Sequence, residues 1–284
     1  MLSYRHGFHA GNHADVLKHL VYQYVLTYMG KKNKPFSIID THAGAGAYKL
    51  SSDFSAKNKE YETGIGKLWQ LPSSELPEQV ASYVDAVRRF NVESDSADLS
   101  VYPGSPWFAL DNLPMEAKAF FHELHPADFE LLREFVRTNR YRKVIKGDGF
   151  VESVGLLPPP SKRAVVIIDP PYEMKQDYQR VTEYVHTMWK RFSSGVFLIW
   201  YPVVDRFRID KMEQTLRDSG IKNIQQFELS IEPDTEERGM TGSGMLVVNP
   251  PWTLKAEMEQ VLPYLSKQLS DGAGWYRCEQ LVDE

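Results

Sequence analysis

Hydrophobic and polar positions along the chain fall into two alternating patterns. Short runs rich in Val, Ile and Phe, the composition of strands buried on both faces, occur at 36–39, 119–122, 143–145, 164–168, 196–201, 224–230 and 245–248. Between them lie longer stretches with helical periodicity, at 14–29, 127–138, 177–192 and 208–219, the last stopped by Gly220. Strands alternating with helices predict an α/β fold: a doubly wound, seven-stranded, mostly parallel sheet covered on both faces. The last two strands have no helical stretch between them and are expected to pair antiparallel. A different texture runs over 48–101, where Leu68, Leu71, Val80, Tyr83, Val84 and Val87 repeat at helical spacing. The expected organisation is a catalytic domain from 1–47 and 102–284, interrupted by a small helical insertion at 48–101.

Charge changes this picture in detail. The 284 residues hold 33 Lys plus Arg against 38 Asp plus Glu, a net charge of −5, which argues against a basic coat on nucleic acid. The distribution is uneven. Residues 1–34 carry Arg5, Lys18, Lys31, Lys32 and Lys34 against Asp15, with His6, His9, His13 and His19, and are expected to offer local phosphate contacts. The insertion is acidic. Cys278 is the single cysteine, so an internal disulfide and a cysteine-based zinc site are excluded and a reducing, cytoplasmic setting is expected. The apolar stretch at 20–29 is too short for a membrane span, and no secretory signal is read at the N-terminus. His9 and His13 are four apart, but Gly11-Asn12 between them reads as a helix start, and His122-Glu123-Leu124-His125 is one residue short of H-E-x-x-H at a strand end, so no metal is expected.

In doubly wound sheets ligands bind beyond the carboxyl ends of the strands, where strand order reverses. After the first strand stands Asp40-Thr41-His42-Ala43-Gly44-Ala45-Gly46, whose Gly44 and Gly46 permit a tight turn with backbone N–H groups near a ligand. It is not a dinucleotide fingerprint, and Gly64-Ile65-Gly66-Lys67 is not a phosphate loop. Glu123 ends the second strand and Asp148-Gly149 follows the third, carboxylates suited to ribose hydroxyls and an adenine edge. The fourth strand delivers Asp169-Pro170-Pro171-Tyr172. A conjugated amine is a poor nucleophile. The Asp169 carboxylate and the Pro170 carbonyl can accept its two N–H bonds and aim its lone pair at a methyl donor, while the prolines fix those acceptors in advance. Tyr172 offers a face for an extruded base. Asn249-Pro250-Pro251-Trp252 has a similar sequence, but it follows the seventh strand and is expected to point away from the ligand end.

Together these strand ends resemble the class I S-adenosylmethionine-dependent methyltransferases that act on adenine N6. The segments 1–6 (Met-Leu-Ser-Tyr-Arg-His) and 8–19 (Phe-His-Ala-Gly-Asn-His-Ala-Asp-Val-Leu-Lys-His), with Tyr102-Pro103-Gly104-Ser105-Pro106, Gly239-Met240-Thr241 and Asn249-Pro250-Pro251-Trp252, are similar to the RlmJ-type bacterial family, which methylates one adenine of 23S ribosomal RNA. The likeness covers nearly the whole chain. It implies S-adenosylmethionine as cofactor and adenine-2030 of 23S rRNA as target, in protein-free or early-assembly RNA. At matching positions it implies donor contacts from His19, His42, Ser105, Glu123, Asp148, Gly149 and Asp169, alongside the Gly44 and Gly46 turn. Tyr4, His6 and Lys18 would line the target-base side, and Asp169 would serve both ligands. Other outcomes are methylation of DNA adenine or of a glutamine amide, and, in another class, a non-catalytic RNA-binding module. Oligomeric state is not legible.

Overall fold

The computed structural model describes residues 5–52, 55, 58–94, 96–114, 116–234 and 239–284. Its centre is an eight-stranded sheet. The strands are β1 (Ser37–Asp40), β4 (Ala119–Glu123), β5 (Arg142–Lys146), β6 (Ala164–Ile168), β7 (Val196–Val203), β8 (Ile224–Ser230), β9 (Gly242–Val248) and β10 (Trp275–Val282), ordered β10-β8-β9-β7-β6-β1-β4-β5. β1 pairs in parallel with both β4 and β6, β4 with β5, and β6 with β7. β9 lies antiparallel to β7 and β8, as expected of the last two of the seven predicted strands.

The count of seven is corrected to eight. β10 pairs antiparallel with β8 at the sheet's edge. Its residues Trp-Tyr-Arg-Cys-Glu-Gln-Leu-Val mix charged with apolar positions, and only Leu281 is fully buried, so an edge position rather than a hydrophobic run makes it a strand.

Alternation along the inner strands divides the core in two. Val165 and Ile167 of β6 face one cluster with Ile38, Phe121 and Leu198, while Val166 and Ile168 face the other with Ile39, Phe197 and Ile199. The first face is covered by α1 (His13–Gly30), which is buried nearly all round, including Lys18 and His19. Asn12 starts this helix by accepting hydrogen bonds from the N–H groups of Ala14 and Asp15, both at 3.0 Å.

A two-stranded ladder of β2 (Ala47–Lys49) and β3 (Val101–Pro103) pairs Lys49 with Val101, at the ends of the segment read as an insertion. Within that segment α2 (Ile65–Trp69) and α3 (Glu78–Glu93) put Leu68, Val80, Tyr83, Val84 and Val87 into the same cluster as α1. Next come α4 (Ser105–Asn112), α5 (Pro126–Val136) and the single turn α6 (Gly149–Glu152). On the second face lie α7 (Asp177–Arg191) and α8 (Arg206–Asp218), and α9 (Leu254–Leu269) precedes β10.

From β1 the chain moves outward to β4 and β5, then crosses back to β6 on β1's other side. Strand order therefore reverses between β1 and β6, and the predicted ligand-binding segments converge on that reversal.

Candidate active site

Two cavities open beyond the carboxyl ends of the strands and meet at Asp169. The larger, about 540 Å³, is walled by Thr41–Gly44 after β1, Glu123 at the end of β4, Gly147–Phe150 after β5, and Asp169–Pro171 after β6; Lys18 and His19 of α1 and Ser105 of α4 close it. The smaller, about 290 Å³, has aromatic and apolar walls from Tyr172, Tyr178, Trp200, Pro202 and Met240. His6, Lys18, Asp169, Pro171 and Glu173 belong to both walls.

A chain of paired side chains fixes this junction. Lys18 Nζ donates to Asp169 Oδ2 at 2.7 Å and pairs with Asp15 Oδ1 at 2.8 Å, while His6 Nε2 lies 2.9 Å from Asp15 Oδ2. Burial opposes the charge on Lys18, but the two carboxylates outweigh it and hold the ammonium protonated. Burial likewise works against the Asp15 carboxylate, yet His6 and Lys18 keep its pKa well below the usual range. Asp169 Oδ1 has no hydrogen-bond partner among the described residues.

The loop carrying Asp169 is held in an uncommon conformation. Tyr172 adopts φ +49°, a left-handed geometry unfavourable for an aromatic residue. Its hydroxyl compensates by donating to the Trp200 carbonyl at 2.6 Å, and its ring packs 4.6 Å from that of Tyr178 and 5.9 Å from that of Trp200.

Around the larger cavity the acidic residues clamp loops together. Glu123 accepts from the Gly44 N–H at 2.9 Å and the His125 N–H at 2.6 Å, joining the turn after β1 to the start of α5; burial pushes its pKa up. Asp148 caps α6 through the Phe150 N–H at 2.9 Å and receives Arg180 at 2.7 Å. Each carboxylate keeps lone pairs for further donors. Gly149 lets this loop approach β1: a Cβ there would stand 2.0 Å from the Thr41 carbonyl oxygen.

Burial lowers the His42 pKa to about 3, so its imidazole is neutral. Thr41 Oγ1 donates to the Ile167 carbonyl at 3.1 Å and therefore accepts from His42 Nδ1 at 2.8 Å, leaving Nε2 as an acceptor. His19 is neutral as well, because burial lowers its pKa; Nδ1 meets the Tyr102 hydroxyl at 2.8 Å and Nε2 is buried without a partner. Ser105 donates to Asp40 at 2.6 Å, and burial raises the Asp40 pKa to about 7.

Comparison with known proteins decides what this scaffold is. The family described as ribosomal RNA large subunit methyltransferase D, RlmJ, matches residues 33–282. The chain belongs to this family. Ribosomal RNA large subunit methyltransferase J of Escherichia coli K12 is 46% identical over 286 residues, and its Haemophilus influenzae counterpart 44% over 285, each alignment covering 100% of both chains. A Legionella pneumophila protein of known structure superposes with a TM-score of 0.87 at 34% identity, covering 96% of this chain and 98% of its own. A probable spermidine synthase from Corynebacterium glutamicum, TM-score 0.50 at 10% identity, covers 93% of this chain and 75% of its own and shares the fold alone.

Within this RlmJ-family chain, His6, Lys18, His19, His42, Gly44, Ser105, Glu123, Asp148, Gly149, Asp169 and Pro170 line the larger cavity. Tyr172 stands in the wall of the smaller one. Gly46 is not part of either wall: at φ +86° it packs beneath Phe135, where a Cβ would come within 2.6 Å of the ring. Tyr4 lies outside the described residues. Asn249 sits at the opposite end of the sheet, as its position predicted, donating to the carbonyls of Ser193 and Gly195. His125, weighed for metal, instead accepts the Asp128 N–H as the cap of α5.

The basic N-terminal segment differs from expectation. Lys18 is 3% exposed and spent on two carboxylates, Arg5 pairs with Asp128 at 3.5 Å, and Lys31, Lys32 and Lys34 are exposed at the other end of α1. An 18-residue helix places those lysines roughly 27 Å from its start. Sequence reasoning passed over Asp15, Asp40 and Trp200. The first stands three residues before Lys18 on a predicted helix, and the other two lie at or near strand ends, so the rule used for Glu123 and Asp169 applies to them.

Proposed function

We propose that this protein transfers a methyl group from S-adenosylmethionine to N6 of an adenine in 23S rRNA, adenine-2030 by its resemblance to the family. One observation carries the reading: Asp169, with one oxygen held by Lys18 and the other without a partner among the described residues, stands where a donor-sized cavity meets a smaller aromatic one. The donor's chemistry matches the larger cavity. Glu123, Asp128, Asp148, Asp169, Glu173 and Asp177 outnumber Lys18 and Arg180 in its wall, a balance that favours a cationic sulfonium. Unpartnered His19 Nε2 and the close Gly149–Thr41 approach supply a polar contact and a narrow cradle.

When bound, S-adenosylmethionine supplies an electrophilic methyl group on sulfur. Glu123 would accept from the ribose hydroxyls, Asp148 and Gly149 would border the adenine, and His42 Nε2 offers a neutral acceptor. Tyr172, Tyr178 and Trp200 flank the extruded base from the smaller cavity. Asp169 Oδ1 and the Pro170 carbonyl would accept the two N–H bonds of the target amine, turning its lone pair out of conjugation and toward the methyl group. A neutral aromatic amine is too weak an acid to surrender a proton to a carboxylate. Proton loss to Asp169 therefore accompanies or follows methyl transfer, when the amine has become cationic. Lys18 keeps that carboxylate in place throughout.

The test supplies protein-free 23S rRNA and labelled S-adenosylmethionine to the purified protein, followed by nucleoside mass spectrometry. The expected product is N6-methyladenosine at one site, formed better on protein-free or early-assembly RNA than on the finished subunit. With DNA and a glutamine-containing peptide supplied in parallel reactions, methyl groups found only on these, or none on any with donor bound, would overturn the proposal.

A further inference from the structure

If the exposed lysines of the N-terminal segment stand far from Asp169, another surface must hold the RNA backbone. The arginines near the cavities are committed: Arg5 to Asp128, Arg180 to Asp148, Arg206 to Glu228 and Asp234, and Arg208 to Asp205. A different region concentrates uncommitted cations. From 133 to 146 the chain holds Arg133, Arg137, Arg140, Arg142, Lys143 and Lys146 against one carboxylate, Glu134. Arg133 pairs with Glu130. The other five form no ion pair among the described residues, and four of them are exposed, Arg142 being half-buried.

These charges line one edge of the sheet, Arg142 and Lys146 on one face of the edge strand and Lys143 on the other. β5 is the last strand of the sheet, bonded to β4 on one side only. Its carboxyl end leads directly into Gly147 and Asp148 of the larger cavity's wall. Along β5, from Lys146 back to Arg142, the ridge runs about 13 Å at strand rise, about the span of two to three phosphates, with Arg140 just before the strand's start. Aromatic faces steady its two ends: Lys146 Nζ lies 5.4 Å from the Phe129 ring centroid and the Arg140 guanidinium 4.5 Å from that of Tyr141. In a protein of net charge −5, five cations without an ion pair among the described residues, on the edge that leads into the larger cavity's wall, are a local field of the opposite sign to the whole.

We propose that the open edge formed by β5 and the end of α5 is a docking surface for the phosphate backbone of the substrate RNA. It holds the flanking strand by charge, independently of sequence, while the base enters the cavity wall at Asp169. This rests on the methyltransferase reading above.

The test compares the wild type with Arg140→Glu/Lys143→Glu/Lys146→Glu and its neutral Gln counterpart, using a 23S rRNA fragment. The KM for RNA should rise at least about tenfold in the Glu variant and less in the Gln variant, with kcat and the donor Kd within about twofold. The slope of log affinity against log salt should flatten by about two to three. Reversal of Lys31, Lys32 and Lys34 should leave KM unchanged. Unaltered KM and salt slope in the ridge variants would overturn the proposal and leave these charges as guards against edge-to-edge strand pairing; an equal loss in the Lys31, Lys32 and Lys34 variant would overturn it too, as an effect of net charge alone. A wild type that transfers no methyl to the RNA would instead refute the methyltransferase reading, so the two failures are distinct.

Discussion

Lys18 is the residue on which the junction depends, because its ammonium is shared between a structural carboxylate, Asp15, and the proposed catalytic one, Asp169. Lys18→Met leaves the buried Asp15 carboxylate, at 2% side-chain exposure, with only His6 and the Gly11 N–H as partners among the described residues, and should destabilise the fold by roughly 2–4 kcal/mol in denaturant unfolding. Adding Asp15→Asn removes that charge. The double variant should recover most of the stability yet stay inactive, since Asp169 still lacks its partner; recovered activity would show that Lys18 acts only through stability. Gly149 makes a second residue-scale claim. Gly149→Ala puts a Cβ against the Thr41 carbonyl and should weaken donor binding by at least about tenfold in calorimetry. Asp40 makes a third. Its pKa is raised by burial to about 7, so the folded state binds a proton more tightly than the unfolded chain, and stability should fall as pH rises from the ordinary carboxylate value toward 7. Asp40→Asn carries no such charge, and its unfolding free energy should decline less than the wild type's between about pH 5 and about pH 8.

At the scale of elements, α1 and the loop after β6 bring these residues together. Asn12 both caps α1 and donates through Nδ2 to Glu60 at 2.9 Å, tying the helix start to the segment at 48–101. Asn12→Ala should cost about 1–2 kcal/mol, read as a lowered unfolding midpoint. Much of this arrangement is legible in the sequence, since β6 is an unbroken apolar run, β1 centres on Ile38 and Ile39, and the segments that follow them carry Asp169 and Gly44. The legible part follows from burial on both faces, which leaves a strong local signal. β10 lacks that signal because an edge strand is defined by its neighbour β8 and not by its own pattern. The short β2–β3 ladder is equally silent, as three-residue strands make no periodicity. The error about the basic N-terminus has the same origin: charge along the chain says nothing of pairing, and Lys18 lies inside the fold while Arg140 and Lys143 lie outside it.

For the whole molecule, the sheet places two cavities, the proposed donor and base sites, on either side of one carboxylate, and family membership agrees with a methyl-transfer role for that scaffold. The modest net charge conceals local fields of both signs, among them the acidic wall of the larger cavity and the basic sheet edge. The account turns on Asp169 as the group that activates the amine. Single-turnover methyl transfer to 23S rRNA by Asp169→Ala, measured beside donor binding by calorimetry, tests it most directly. Transfer should fall by at least about a hundredfold, the range for removing one aligned polar group at a reacting centre, while donor binding survives within about tenfold. An Asp169→Ala protein that methylates the RNA at the wild-type rate would contradict the account.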